Sequence, residues 1–493
     1  MSGAMPPSTR RPATVLVRGD SRDAPMLRAL AARGFRLGGY MRAPVEALRR
    51  EGLDIGFLDL EGAPATPPAP RQRAHMQGMA SRWLGATGHA SLAQALGITD
   101  RRELGAVQEA LLRHVNGNFL AAAHAVDTFN AMAGPENIRL LLLRSDLSHP
   151  DRALALAARL RGIPSLHVMH GNPRAALVAA EVAADLAAIY GPATGEWFAQ
   201  FGIAPGRIAI TGNPPWDGLG APGSVPTREE ALTRLKLDPA LKTVMFAGTW
   251  AGNMNAYDLL DKDWPWFYFL RTLDAIDELR RQEDLQLIFK PHPATTSIDL
   301  LARHQQEIET RGVRWASIVG HAEPWQLAHS DVIVCVESNI GIEGMLVNSP
   351  VINLRFSIPV RDTTDQLFGA DDAVITVTRP EDLPQALGGA LFDSNVAQRM
   401  AQLRPASVYR HSYLEDGQAT ARVIQLALRM LDPEMAAREL RDGAPASLTA
   451  SMSDADLASV IDQHRALAQQ LEQQGDEPGA AFLRGQAERL AGS

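Results

Sequence analysis

The chain has 493 residues and a net charge of -8, and its 46% hydrophobic and 21% charged content is that of globular domains. The acidic balance and the lack of any Lys/Arg-rich run argue against a nucleic-acid-binding surface. The single cysteine, Cys335 in the apolar run DVIVCV, excludes a disulfide framework and a cysteine-based metal cage, and fits a reducing cytoplasm.

The first residues, MSGAMPPSTRRPAT, are polar with no apolar signal core behind them, and no window approaches the roughly 18 apolar residues of a spanning helix. A cytoplasmic protein is expected, with peripheral attachment to the inner face of a membrane left open. TVLVRGD (14–20) predicts a strand and a glycine turn, RDAPMLRALAARGF an amphipathic helix, and LDIGFLDL (53–60) another strand. APATPPAPRQR reads as a proline-rich loop and 101–133 as mainly helical. The leucine run of NIRLLLLRSD (137–146) predicts a strand buried on both faces. HPDRALALAARLRGI follows as a helix, then IPSLHVMHG, LAAIYG and RIAITG as strands. Such alternation is the pattern of an α/β chain with a parallel sheet covered on both faces.

NPPWDGLGAPGSVPT (213–227) is dense in Pro and Gly and marks a connection between domains. Beyond it the alternation restarts with KTVMFAGTW (242–250), the helix FYFLRTLDAIDELRRQ, and the strands LQLIF, DVIVCV, PVINL and AVITV. The expected organisation is a Rossmann-like domain over 13–216, a linker over 217–240 and a second Rossmann-like domain over 241–432, both doubly wound and facing a crevice. A helical hairpin over 445–493, with Ser453 as N-cap and Asp456 at the capping-box position, is a candidate contact for a membrane surface or a protein partner.

Ligands of open α/β sheets bind outside the carboxyl ends of the strands, and four predicted loops there are chemically unusual. In LQLIFKPHPATT (285–296), two prolines stiffen the turn that carries Lys290 and His292, which predicts a phosphate-binding role for both. In VMHGNPR (168–174), His170 ends a strand and suits acid–base work near neutrality; the alternative is a histidine hydrogen-bonded to a neighbouring loop. In ITGNPPWD (210–217), Pro214, Pro215 and Trp216 read as structural. In VESNIGIEGM (336–345), a strand passes into a helix through Ser338, Asn339 and Gly341, whose free first-turn N–H groups make an anion site.

Glu343 is expected in that helix's first turn, where it either favours the dipole or accepts hydrogen bonds from ribose hydroxyls. Asp146, then Asp20 and Asp23, are further candidate bases, although an Asp before a helix is more often a cap. There is no GxxxxGK[ST] run, and RGDSRD is not GxGxxG, so neither a P-loop nor a standard NAD site is supported. No DxD dyad stands at a convincing loop, so neither a metal nor another cofactor is required. DWPWFYF (263–269) reads as a buried helix start in preference to a contact for a lipid-linked acceptor.

The order HGNP, TGNPPWD, KPHP, then SDVIV, Ser338, Gly341 and Glu343 before PVINL resembles GT-B glycosyltransferases of bacterial surface polysaccharide synthesis. The similarity covers about residues 140–355 and extends to capsule polysaccharide proteins including Kdo transferases, CDP-glycerol glycerophosphotransferases and bacterial sialyltransferases. It implies a GT-B fold and transfer of a sugar from a CMP-, CDP- or UDP-linked donor to a glycan, lipid-linked or protein acceptor. By resemblance, His292 and Ser338 bind the donor phosphate, His292 assists leaving-group departure, Lys290 adds positive charge, and Glu343 is the ribose-binding acid. His170 matches the histidine of the glycerophosphotransferase WHGxP motif, a base. Met169 replaces that motif's tryptophan, and IEGM replaces the acidic pair usual after the serine, which disfavours glycerol phosphate as the transferred group.

GIAPGRIAITGNPPWDGL also resembles a stretch of UDP-N-acetylglucosamine 2-epimerases, which share the GT-B fold. Their second domain opens on a loop rich in His and Arg, whereas AGTWAGNMN (247–255) has neither, so an epimerase is the second reading. A catalytically inactive binding or scaffold chain is the third.

Overall fold

The computed structural model describes residues 12–60, 99–145, 150–171, 182–200, 203–219, 226–249, 264–292, 298–320, 324–356 and 367–441, with isolated helical positions elsewhere. Asp146, the proline-rich loop and the expected 445–493 hairpin with Ser453 and Asp456 lie outside the described residues, apart from such isolated positions in the tail. The chain forms two compact units: Met1–Met169 with Glu181–Ala188 and Val423–Ser447, and His170–Ala180 with Ile189–Arg422 and Leu448–Ser493.

The first sheet comprises β1 (Thr14–Val17), β2 (Arg36–Gly39), β3 (Gly56–Phe57), β4 (Ile138–Leu143), β5 (Ser165–Val168), β6 (Leu186–Ile189) and β7 (Ile208–Ile210), ordered β3-β2-β1-β4-β5-β6-β7. The helices along this stretch are α1 (Ala24–Ala32), α2 (Arg42–Arg50), α3 (Arg101–Ala133), α4 (Asp151–Leu160) and α5 (Pro192–Gln200). β1 pairs in parallel with both β2 and β4, and the leucines of β4 are buried, as their run predicts.

Two elements depart from the sequence pattern. LDIGFLDL contains only the two-residue β3, while β2 has the unmarked sequence RLGG. Its glycines are packing residues: a Cβ at Gly38 would lie 2.8 Å from Leu58, and one at Gly39 2.2 Å from Val45. A strand chosen for thinness carries no apolar run to announce it.

Within 217–240, α6 (Arg228–Arg234) is fixed by a capping box between Thr227 and Glu230. Arg228 then donates to the carbonyls of Pro239, His329 and Leu241 and pairs with Asp331 at 2.7 Å.

The second sheet is ordered β10-β9-β8-β11-β12-β13, with β8 (Lys242–Ala247), β9 (Leu285–Lys290), β10 (Arg314–Ser317), β11 (Val332–Cys335), β12 (Val351–Leu354) and β13 (Ile375–Val377), every pair parallel. β10 also escapes the pattern, because RWAS is an edge strand whose residues are half-buried or exposed. The helices are α7 (Trp264–Leu279), α8 (Ile298–Thr310), α9 (Pro324–Ala328), α10 (Asn339–Leu346), α11 (Leu383–Phe392), α12 (Ser394–Ser412), α13 (Ala419–Leu431) and α14 (Pro433–Arg441).

Tyr268 and Phe269 of the aromatic run are fully buried against Val244, Phe246, Leu287 and Phe289, so DWPWFYF does start a core helix. Each such side chain contributes about 1.5–3 kcal/mol by leaving water.

His304 of α8 sits in this aromatic core, stacked 5.0 Å from Phe289 and touching the rings of Phe269 and Trp266. Burial, with Arg303 adding to it, holds the imidazole below its ordinary pKa despite the bond to the Leu300 carbonyl. A depressed histidine stabilises the fold above the unfolded value near 6.5, and that stability is lost as pH falls from there through the folded value. We expect the urea midpoint of His304→Phe to depend less on pH between 7 and 5 than that of the parent; parallel profiles would rule out His304 as the source.

Candidate functional site

In the second sheet the chain enters at central β8, winds outward to β9 and β10, and returns to β11 on the other side of β8. The order reverses between β8 and β11, the place where doubly wound sheets hold ligands. Ala247 is in register with Lys290, and Phe246 with Val334, so the loops after β8, β9 and β11 leave from one edge. Since β9 and β11 flank β8, their ends stand about 10 Å apart, two inter-strand spacings.

Lys290 ends β9 with only 7% of its surface exposed. Its carbonyl accepts the N–H of Gly248 at 2.8 Å, which lays the loop after β8 onto the Lys290–Pro291–His292 turn. A Cβ at Gly248 would stand 3.2 Å from the His292 nitrogen and 3.4 Å from the Pro291 Cα. The turn is therefore stiffened by its buried proline from within and by a glycine contact from outside. His292 follows, half-buried.

Beyond β11, Glu337 adopts φ 43°, a backbone region uncommon for a non-glycine residue. Its N–H donates to Asn353 Oδ1 (2.8 Å), and its carboxylate accepts from Asn353 Nδ2 (2.7 Å) and the Leu367 N–H (2.6 Å), with Arg355 3.3 Å away. This network sets the direction in which the chain leaves β11, and Glu337 is a site residue that pattern reading missed. The only trace in the sequence is an acidic residue directly before the serine.

Ser338 is the N-cap of α10, but its Oγ reaches the Ile340 N–H only at 3.5 Å, a marginal bond that leaves the hydroxyl able to turn at little cost. The Gly341 N–H is committed to the Ser338 carbonyl at 2.9 Å, and the Ser338 N–H to the thiol of Cys335. The expectation of wholly free first-turn N–H groups is corrected accordingly: side chains carry more of the site. Asn339 Oδ1 is buried without a hydrogen-bond partner.

Gly341 is buried, and a Cβ there would meet Phe368 at 2.7 Å and Cys335 Sγ at 3.3 Å, so helix packing alone requires glycine. The Cys335 thiol, fully buried and beside Glu337, is pushed up to about 12 and is inert as a nucleophile.

Glu343 is the fifth residue of α10, not part of its first turn, because the helix begins at Asn339. The dipole account of this acid therefore fails, since that effect fades within the first turn. Its Oε1 accepts the indole Nε1–H of Trp216 at 3.0 Å.

His170 is exposed, immediately after buried Met169. Asp23 belongs to the first unit, almost wholly buried against Arg144 at 3.2 Å. Burial, only partly offset by Arg144, pushes its carboxyl up to about 6. Asp20 is half-buried beside Arg22. Among the described residues, no three His, Cys, Asp or Glu side chains cluster as metal ligands, and no helix is long and apolar enough to cross a membrane.

Two parallel, doubly wound sheets of this order make a GT-B fold, and the structural neighbours are UDP-N-acetylglucosamine 2-epimerases and GT-B glycosyltransferases. A Listeria monocytogenes protein assigned as a UDP-N-acetylglucosamine 2-epimerase superposes with a TM-score of 0.54 at 14% identity, over 86% of this chain and 98% of that one. The UDP complex of S. aureus MnaA gives 0.52 at 13% identity, over 86% and 97%. A glycosyltransferase from Rickettsia africae gives 0.49 at 11% identity, over 86% and 100%. No family model matches the chain, and no curated protein matches it. At these identities the likeness is one of fold.

Proposed function

We propose that this chain is a glycosyltransferase that moves a sugar from a CMP-, CDP- or UDP-linked donor to a surface-glycan or other glycoconjugate acceptor. The observation that carries this reading is the Lys290–Pro291–His292 turn, clamped by Gly248 at the switch-point edge of a GT-B sheet. Lys290 and His292 supply cationic charge to the donor phosphate, Ser338 and Asn339 supply hydrogen bonds, and Gly341 keeps the start of α10 thin. Glu343 accepts hydrogen bonds from the ribose.

In the reaction the acceptor hydroxyl attacks the anomeric carbon as the bond from that carbon to the phosphate oxygen breaks. His170, or Asp146, takes the hydroxyl proton. Negative charge builds on the departing phosphate, where fixed cations and dipoles lower the barrier most, and His292 can also donate a proton to it. No cofactor enters this scheme. The proposed reaction belongs in the cytoplasm, at the inner face of the membrane where the acceptor is lipid-linked.

The 2-epimerase reading is second. The superposed 2-epimerases share the fold with this chain, and the 247–255 loop, with neither His nor Arg, counts against their activity here.

A thermal-unfolding series with CMP, CDP, UDP and GDP tests the donor site. A nucleotide at 100 times its Kd adds about 2.7 kcal/mol to the folded state. At least one is expected to raise the midpoint, and nucleotide release from the matching sugar donor should follow. Unchanged midpoints with all four would reject a nucleotide-sugar site, while conversion of UDP-N-acetylglucosamine to its 2-epimer would select the second reading.

A further inference from the structure

Trp216 reads from the sequence as a purely structural residue of a proline-rich turn, yet its one polar atom is bonded to an acid proposed to touch the donor. It closes the 3-10 turn Pro214–Trp216, with its N–H on the Asn213 carbonyl at 2.8 Å. The next residue, Asp217, accepts the Ala419 and Thr420 N–H groups, each at 2.8 Å, and so caps α13. Tyr190 packs its ring 4.8 Å from the indole. Held on these sides and only 6% exposed, Trp216 has little freedom to follow Glu343; the glutamate must come to it.

The bond has two chemical consequences. It fixes a side chain that otherwise carries about 1.5–2 kcal/mol of rotamer entropy. Moreover, an indole N–H is a neutral donor, so it orients the carboxylate without cancelling its charge, as a lysine or arginine would. A hydroxyl that donates to this carboxylate then still makes a charge-assisted bond. Glu343 lies five residues along the helix from Ser338, about 7 Å of helical rise. That is comparable to the span from a phosphate to the ribose diol in a nucleoside diphosphate.

We infer that Trp216 is a positioning residue for ribose recognition: its indole N–H holds the Glu343 carboxylate where it accepts the 2′- and 3′-hydroxyls of the donor nucleotide. The inference rests on the proposed donor site and adds to it a residue 127 positions away in sequence.

The test compares dissociation constants of UDP, CDP, CMP and GDP with those of their 2′,3′-dideoxy analogues by calorimetry. The parent should prefer the ribonucleotide it binds by about tenfold, the yield of one charge-assisted bond. Trp216→Phe, which keeps a ring but loses the donor, should cut that preference to about threefold or less, with affinity for the dideoxy analogue unchanged. Glu343→Gln should do the same, and the double variant should go no further, because Trp216 acts through Glu343. Should Trp216→Phe fail to fold, Trp216→Met, which also fills the site without a donor, makes the same comparison.

A full tenfold preference in the Trp216 variant, or equal weakening of both ligands, overturns the inference alone. Failure of the parent to bind any of the nucleotides overturns the donor site and the inference with it.

Discussion

Replacing His292 with alanine should lower turnover of the nucleotide-sugar donor by at least about 100-fold, the scale seen when one preorganised donor is removed from a developing anion. Thermal stability should stay close to that of the parent. The two halves of this expectation come from different parts of the same turn. Stability resides in the backbone: β9 is buried along its length, Pro291 is buried, and the Lys290 carbonyl holds the Gly248 N–H. Chemistry resides in the half-buried imidazole beyond it.

Cutting that side chain back to Cβ keeps the proline and the glycine contact, since a Gly248 Cβ would meet the His292 backbone nitrogen and not its ring. The variant should also lose much of the nucleotide-induced rise in the unfolding midpoint. Release of nucleotide from the sugar donor, measured beside a urea midpoint, separates the two effects. Turnover within a few-fold of the parent would remove His292 from the site, and a collapse in stability would mean that the ring is structural.

How much of this was legible in the sequence depends on the range over which each feature is determined. The KPHP turn is local, with an apolar run ending at a lysine and then a histidine between two prolines, and the structure places Lys290 at the end of β9 as that pattern predicts. The alternation of strands and helices is local too, and the parallel α/β sheets follow from it, whereas the GT-B fold is implied by the resemblance of the ordered motifs. Features that arise where distant segments meet left little trace. Glu337 is held in its φ 43° conformation by Asn353, Arg355 and the Leu367 N–H, none of them next to it in sequence.

Glu343 stands just past the first turn in which it is expected, since α10 begins at Asn339 and a pattern fixes a helix boundary only to within a residue or two. Gly341 is expected among the residues that open an anion site at the helix start, and the packing that requires glycine there is not visible in the sequence. The ring of Phe368, 27 positions on, explains it without a ligand. Pattern reading finds elements and local stiffness; a side chain's partner is a tertiary property.

The same distinction makes Gly191→Ala the substitution with the largest expected cost to stability, about 3 kcal/mol or more as a drop in unfolding free energy from urea titration. In sequence Gly191 is the unremarked end of LAAIYG. In the structure a Cβ there would lie 2.5 Å from the Arg410 carbonyl oxygen, 2.8 Å from the His411 carbonyl carbon and 3.0 Å from that of Arg410. All three are backbone atoms at the C-terminal end of α12, so no rotamer change can relieve the overlap.

The remaining response is to separate α12 from the segment that carries Gly191, and an ion pair and a buried histidine–carboxylate contact resist it. Arg410 bonds Glu196 of α5 at 3.1 Å, and His411 bonds Asp372 at 2.9 Å, with Glu196, Asp372 and His411 nearly inaccessible. Parting such buried polar partners by even a fraction of an ångström forfeits attraction that had offset their desolvation.

Tyr190, next to the glycine, packs on Trp216, so the strain should also reach Glu343 and narrow the ribonucleotide preference. Gly206→Ala is the control: no atom stands within 4 Å of its added Cβ and its φ is not in the left-handed region, so the change should be neutral or slightly stabilising. A Gly191→Ala variant as stable as the control would show that α12 can withdraw freely, and that its contacts to Glu196 and Asp372 contribute far less than their burial implies.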